Sequence, residues 1–549
     1  MKKNLLFTIQ FITILLFFIS SSKAQVISNA TNTLDINNVS AGFLVHGDMF
    51  WNPTLGNSTY EFPKGSGKFS SHATALWIGA YDNGNSQLVT ATQKYRNNFD
   101  FFPGPAFISL NQPIDSISCL EWAKIWKVNK TTIDSFLSIN THTLANTHPS
   151  ILDWPAKGNQ HSLSSLNNPM FVPDRELAPF VDVNSDGVYN PLDGDYPKIK
   201  GEQMLWWVFN DKAFAKTNTN SPTMNLEIHA SAYACKKVGI ENTIFVNYKI
   251  NYWGSQIYDS AVVGLFVDGD LGNSFDDFIG FDSSKRMGIF YNSDILDEGV
   301  NGYGTNLTQH GTVLIKSPND TASNLKPMGS FIFFDNSNNP VTGKPQIGQE
   351  FFNYLNATWK DGSSIKNSCI PYGLNGNITK YVFPNDPSNV SGISEKACGN
   401  LGGDRRFVMS CMPIKLLPGM YPIEYTFAFI NTDTGSNNAN FNEIKRLADS
   451  AYKYPDACET NFAPTSVNDY SLATEVKVFP TVSNQQIIIT DLKNDKKQVI
   501  IFNAIGEKIY EETFSDIKKI LDINSFSNGV YFLEIIKDKR SRVEKIIKY

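Results

Sequence analysis

Apolar and polar residues alternate with period two over long stretches of the middle of the chain. Leu226-Glu227-Ile228-His229-Ala230-Ser231-Ala232-Tyr233 does so, and Ile244 to Tyr252 does too. Successive side chains on a strand point to opposite faces, so this pattern predicts antiparallel strands with one covered face. Gly42-Phe43-Leu44-Val45, Ala75 to Ala80 and Ala261 to Val267 are apolar runs instead, which predicts strands covered on both sides. Phe331 to Phe334 and Tyr421 to Ile430 close the set. Helical spacing is sparse. Leu120, Ile125 and Val128, with Trp122 and Trp126 four apart, predict a helical insert; a second short helix is expected from Thr131, and Phe441 to Tyr454 reads as one helix. No repeat of fixed period is visible in this part of the chain.

The last seventy-odd residues follow a different rhythm. Short Ile-, Val- and Phe-rich runs recur at even spacing: Val476 to Pro480, Gln486 to Thr490, Gln498 to Phe502, Leu521 to Ile523, Val530 to Ile535 and Val543 to Ile547. Turn residues separate them, Asn503-Ala504-Ile505-Gly506 and Ser527-Asn528-Gly529. That spacing predicts a separate β-sandwich of about seven strands. Its order of features, Val478-Phe479-Pro480, then Ile501 to Lys508, then Asn528-Gly529-Val530-Tyr531-Phe532, then Lys545-Ile546-Ile547-Lys548-Tyr549, resembles the C-terminal sorting domain of type IX secretion cargo of Bacteroidota. Thr481-Val482 stands where members usually carry Asn-Pro. The resemblance implies Sec export, recognition by the type IX translocon, and release or attachment to surface lipopolysaccharide.

The other end agrees with export. Met1-Lys2-Lys3 is basic, Leu5 to Ile19 is an almost unbroken apolar run, and Ser22-Lys23-Ala24 offers small residues before Gln25. This reads as a secretory signal peptide over residues 1–24. No later run reaches the roughly 18 apolar residues of a membrane span. The expected plan is therefore a signal peptide, a β-rich body at 25–459 with a subdivision allowed near 170–180, a linker at 460–473 and a sorting domain at 474–549. The expected fold class is mainly β, a sandwich-rich multi-domain ectodomain with a short helical insert and an immunoglobulin-like cap.

Composition sharpens the class. Only 18% of residues are charged while Asn, Ser, Thr and Gly abound, which suits an extracellular β protein better than a helical cytosolic enzyme. The net charge is −6; residues 1–24 contribute three lysines and residues 475–549 contribute 13 basic and 11 acidic groups, which leaves −11 on the body. An acidic body disfavours nucleic acid and is compatible with divalent cations. Six cysteines (Cys119, Cys235, Cys369, Cys398, Cys411, Cys458) in an oxidising compartment allow disulfides, most simply among the last four, or buried free thiols.

One motif has the spacing of a calcium loop. Asp182-Val183-Asn184-Ser185-Asp186-Gly187-Val188-Tyr189-Asn190-Pro191-Leu192-Asp193 places oxygen side chains at positions 1, 3 and 5, Gly at 6 and a carboxylate at 12. Asp182, Asn184, Asp186, the Val188 carbonyl, Asn190 and Asp193 are the candidate ligands for a structural Ca2+; an Asx-rich turn without metal is the alternative. Pro191 and Pro197 argue against a long exiting helix, so a dockerin- or thrombospondin-like loop is expected. A second acidic string follows the apolar run to Val267: Asp268, Asp270, Asp276, Asp277 and Asp282. It could hold a further cation or be a solvated turn. Tyr196-Pro197, Trp206 to Asp211, Asp404 to Phe407 and Leu417-Pro418-Gly419 are similar to segments of other large exported proteins of the same bacterial group, a likeness that implies no activity.

Trp206 and Trp207 are neighbours, so on a strand one could face outward and stack on a sugar, although core positions are the commoner outcome. Catalytic signals are thin: seven scattered histidines form no His-Glu-x-x-His, and no Gly-x-Ser-x-Gly elbow exists. The functional expectation is a secreted or surface-attached structural, adhesive or ligand-binding protein, with extracellular glycans or proteins as partners. The alternative is a secreted hydrolase of polysaccharide or protein with a carboxylate active site.

Overall fold

The alternating and apolar runs become long antiparallel strands. Leu226–Ala234 pairs with Thr243–Tyr252, Ala232 opposite Val246, and Thr243–Tyr252 pairs in turn with Ile423–Gly435. Leu307–Lys316, Met287–Asn292 and Asp277–Asp282 extend that sheet on one side. Gln203–Asn210 and Trp126–Asn129 extend it on the other, and Phe102–Pro103 pairs with Gln203–Asn210 as a ninth strand. A second, eleven-stranded sheet is built around Tyr258–Asp268, flanked by Ala73–Tyr81 and Arg406–Ser410. Ser40–Leu44 and Ser330–Phe334 lie farther out in it.

The computed structural model describes residues 28–549, except 85, 97, 110–111, 322–323, 390, 456–475, 492–493, 504–506 and 538–539. The expected signal peptide and linker lie outside these residues. The chain divides into two units between residues 460 and 461. Within the first unit the two large sheets share one core. Phe43 meets Trp207 at 5.5 Å between ring centroids, Phe50 meets Phe429 at 5.0 Å, and Phe290 stacks on Phe407 at 4.7 Å. The stretch 170–180, where the sequence allows a subdivision, lies between strands Trp126–Asn129 and Gln203–Asn210, which pair with each other.

Helices cover the outer faces, which is why several strands are apolar throughout. Gly348–Leu355 lies on the eleven-stranded sheet, with Phe351 against Trp77 at 4.8 Å. Asn437–Lys453, the helix expected from Phe441, lies on the nine-stranded sheet, with Phe441 against Tyr291 at 5.1 Å. Leu226–Ala234 departs from the one-face expectation. Its polar side is also covered, because Glu227 accepts from Arg175 Nη1 and Nη2 at 2.7 and 2.6 Å and lies 2.8 Å from His229 Nε2. Burial alone would raise the Glu227 carboxyl; His229 and Arg175 hold it down at about 2.

The helical insert is shorter than its spacing suggests. Ser116–Glu121 is a helix capped by Asp115, whose carboxylate accepts from the Ser118 amide. The chain then turns, and Trp126 and Val128 belong to a strand in register with Trp206 and Met204. The expected second helix follows at Lys130–Leu137. Cys369 and Cys398 form a disulfide and Cys235 is also disulfide-bonded. Cys411, grouped by position with the last four, is a buried free thiol like Cys119.

The second unit is the expected small sandwich. Val476–Phe479, Gln486–Asp491 and Lys518–Asp522 form one sheet; Lys508–Phe514, Lys497–Asn503, Gly529–Lys537 and Arg540–Lys548 form the other. Lys508–Phe514 is the seventh strand, hidden in the sequence because it is mostly polar and exposed. Val476, Ile489, Val499, Leu521, Leu533 and Ile546 fill a core of their own. Inside it Asp491 Oδ2 lies 3.0 Å from both Lys497 Nζ and Lys537 Nζ, a buried ion group that period-two reading does not reveal. Among the described residues no helix is long and apolar enough to cross a membrane.

Candidate metal centres

The calcium-loop motif folds as a tight surface loop. Asp182 Oδ1 accepts from the Ser185 amide at 2.7 Å and Oδ2 from the Gly187 amide at 2.8 Å. Asp186 Oδ1 accepts from the Val188 amide at 2.8 Å, and Asn184 Nδ2 donates to Asp186 Oδ2 at 2.9 Å. Ser185 and Gly187 take positive φ, 62° and 79°, which makes the bend tight. Asn190 caps the single 3-10 turn Pro191–Asp193, and its amide donates to Asp193 Oδ2 at 2.7 Å. No long exiting helix follows, as the prolines require.

One carboxylate that spacing did not select organises this loop. Asp195 is buried and accepts from the Val183 amide at 2.8 Å and the Asn190 amide at 2.9 Å, tying the two ends together. Burial raises its carboxyl, and Asp182 and Asp186 raise it further. The donor set is therefore all oxygen and strongly anionic, the chemistry a hard cation such as Ca2+ selects.

The second acidic string divides in space. One oxygen from each of Asp268, Asp270 and Asp404 lies within 4.8 Å of the others. Strand register explains the meeting. Asp268 ends Tyr258–Asp268 and pairs across the sheet with Arg406, two residues after Asp404. Arg406 Nε lies 3.0 Å from Asp268 Oδ2, and Arg406 Nη1 donates to Asp404 Oδ1 at 2.7 Å. His72 Nδ1 lies 3.8 Å from Asp270 Oδ2. Asp268 is wholly buried, and neither of its oxygens receives a well-directed hydrogen bond.

The electrostatics match that shortage. Burial, then Asp270, pushes the Asp268 carboxyl well above the usual carboxylate range, against the pull of Arg406. Burial and then Asp404 bring Asp270 up to about 6. His72 falls to about 4 through burial and the neighbouring Arg406 and Arg96, so it is neutral near pH 7 and can act as a ligand. Three carboxylates, with Arg406 the guanidinium ion-paired to them, leave room for a cation.

Asp276 and Asp277 belong to a neighbouring group. Asp277 Oδ2 accepts from the Leu271 amide at 3.0 Å, and Asp276 Oδ2 accepts from Asn292 Nδ2 at 3.0 Å. The other oxygen of each is buried without a donor among the described residues. Burial first, then Glu298, Asp297 and their neighbours, brings Asp276 up to about 7. Asp282 caps a turn through Ser284 and Lys285 and joins neither group.

Trp206 and Trp207 are both buried, so the sugar-stacking option closes there. Trp207 faces the shared core and Trp206 packs between Trp126 and Trp154. Asp404 and His72 could not be joined to Asp268 by spacing, since they lie 136 residues after it and 196 before it.

Residues 477–549 match the family described as the secretion system C-terminal sorting domain. The chain is type IX secretion cargo, directed to the cell surface or the medium, and its tail engages that machinery. None of the curated proteins matches the chain. Two solved structures overlap it at low similarity. The BSP domain of a biofilm associated protein is 9% identical over 96% of this chain and 82% of that one, with a TM-score of 0.15. PorZ, described as an essential surface component of the type IX secretion system of Porphyromonas gingivalis, is 10% identical over 94% and 75%, with a TM-score of 0.13. At those scores neither carries an argument about this chain.

Proposed function

We propose that the exported body is a binding protein of structural or adhesive role, stabilised by calcium, and released or attached to surface lipopolysaccharide. The observation that carries the calcium reading is the loop 182–195. Asp182, Asp186 and Asp195 each accept from backbone amides of this one short loop, Asp193 closes the motif at position 12, and Asn184, Val188 and Asn190 can add neutral oxygens. Without a cation these groups repel one another; with one they become its shell. Asp268, Asp270 and Asp404 offer a second, deeper position with the same preference for a hard divalent ion.

Calcium that binds the folded body alone raises its stability by about 2.7 kcal/mol when free calcium is a hundred times the dissociation constant. Calorimetry with calcium and with a chelator tests this. The expected result is a melting temperature several degrees lower in chelator, with the shift reduced in Asp182→Asn/Asp186→Asn. An unchanged melting temperature removes the structural-metal reading. Asp268→Asn/Asp270→Asn assigns the remainder of the shift, if any, to the deeper group.

A further inference from the structure

A cavity of about 450 Å3 opens beside strand Tyr258–Asp268 and is lined by an excess of cations, against the acidic character of the body. Arg406 is one of them, and its charge is matched by Asp268 and Asp404. Lys94, Arg96 and Lys344 also line it. Among the described residues none of these three has a carboxylate within ion-pair distance. Lys94 is half-buried; its ammonium donates to the Pro345 carbonyl at 3.2 Å and lies 5.1 Å from the Phe351 ring centre. Burial, with Lys344 and Arg406 adding to it, brings this ammonium down to about 8. Arg96 takes a left-handed backbone, φ 77°, uncommon for a side chain of its size, and its guanidinium lies 5.3 Å from the Tyr95 ring centre.

Crowded cations without counter-charge are costly, and an anion relieves the cost. The rest of the lining says what kind of anion. Phe266 and Phe334, stacked at 5.7 Å, are wholly buried beneath the lining, and Tyr95, half-buried and stacked on Phe266 at 6.3 Å, is the ring that reaches the cavity. Asn336 and Gln346 present side-chain amides at the rim that have no protein partner among the described residues. The volume lies within the roughly 300–1,000 Å3 of small-ligand pockets. A long polyanion would meet the net negative body, whereas a compact ligand meets only the local cations.

We propose that this cavity binds an acidic saccharide, one or two sugar rings carrying a carboxylate or sulfate. Lys94, Arg96 and Lys344 take the oxyanion, the side-chain amides take ring hydroxyls and the Tyr95 ring takes an apolar ring edge. The assignment gives a ligand class to the binding role proposed above and rests on that role, but it uses none of the loop residues 182–195.

The test is calorimetric titration of the full chain, in calcium and in chelator, with a uronate disaccharide, a sulfated disaccharide, a neutral disaccharide and inorganic phosphate. One or both acidic disaccharides should bind, at least tenfold more tightly than the neutral one and than phosphate. Lys344→Gln and, separately, Lys94→Gln should weaken that binding about tenfold at unchanged melting temperature. Lys344 serves as the second probe should the Lys94 variant not fold. Absence of binding, equal binding of the neutral sugar, phosphate binding as tightly as the saccharides, or affinity indifferent to both substitutions would each overturn the assignment. Saccharide binding in a chain that fails to support surface adhesion would count against the adhesive role alone.

Discussion

Asp48 shows what a single buried carboxyl does to this fold. It lies in the short strand Asp48–Met49, wholly buried, accepting from the Trp51 indole at 2.6 Å through Oδ2 while Oδ1 has no donor. Burial brings its carboxyl up to about 7. The sign of the pH effect follows. Below about pH 4 both folded and unfolded chains hold the proton, and the group is neutral to stability. Between there and about 7 the unfolded chain releases the proton while the folded chain keeps it, so stability falls as pH rises through that window. Asp48→Asn keeps the acceptor for Trp51 and removes the titration. At pH 8 the variant should be more stable than the parent by roughly 2–4 kcal/mol, and close to it at pH 4. Denaturant midpoints at the two pH values measure this; an equal difference at both would mean that the substitution acts through packing. Asp48 was invisible as a special residue in the sequence, where it is one acid among many. Its burial is set by pairing with Ala75, a partner that alternation does not name.

At the scale of elements, what was legible is what depends on near neighbours along the chain. Leu226–Ala234, Thr243–Tyr252 and Ala73–Tyr81 declare themselves by period two or by unbroken apolarity. Trp126 and Val128 satisfy both helical and strand spacing, and the decision is made by Gln203–Asn210, a partner some eighty residues away. The same limit hid the Asp268, Asp270 and Asp404 group, assembled by cross-strand register. The loop 182–193 was readable because its candidate ligands lie within twelve residues, and Asp195 was missed because it lies two residues past the motif. Helix Gly348–Leu355 shows how a glycine can seat an element. A Cβ on Gly264 would lie 2.8 Å from Leu355 Cδ2 and 3.0 Å from the Met409 carbonyl oxygen, and one on Gly79 would lie 2.7 Å from Phe352 Cδ2. The helix rests where the sheet has no side chain. Gly264→Ala should therefore destabilise the body by about 1–3 kcal/mol. Adding Leu355→Ala should cost less in that background than in the parent, because it clears the contact. Additive effects of the two changes would show that the helix is not seated on Gly264.

For the whole molecule, the division between residues 460 and 461 separates two jobs. The tail has its own core, from Val476 to Ile546, and its own buried ion group at Asp491. It carries a charge of opposite sign to the body. A unit built this way keeps its fold whatever the body does, which is what an address requires when different cargoes share one exit. The body in turn completes both large sheets and both covering helices before residue 454, and among the described residues neither large sheet includes a strand of the tail. Removal of Glu475–Tyr549 should then leave the melting temperature of the body within about a degree of its value in the full chain, since each unit has a core of its own. The same truncation should hold the protein in the periplasm. Calorimetry of the purified truncation and fractionation of expressing cells read the two outcomes independently. A large drop in the melting temperature would mean that the body depends on the tail for its stability. A stable body that still reaches the cell surface would mean that something within residues 25–459 carries export information of its own.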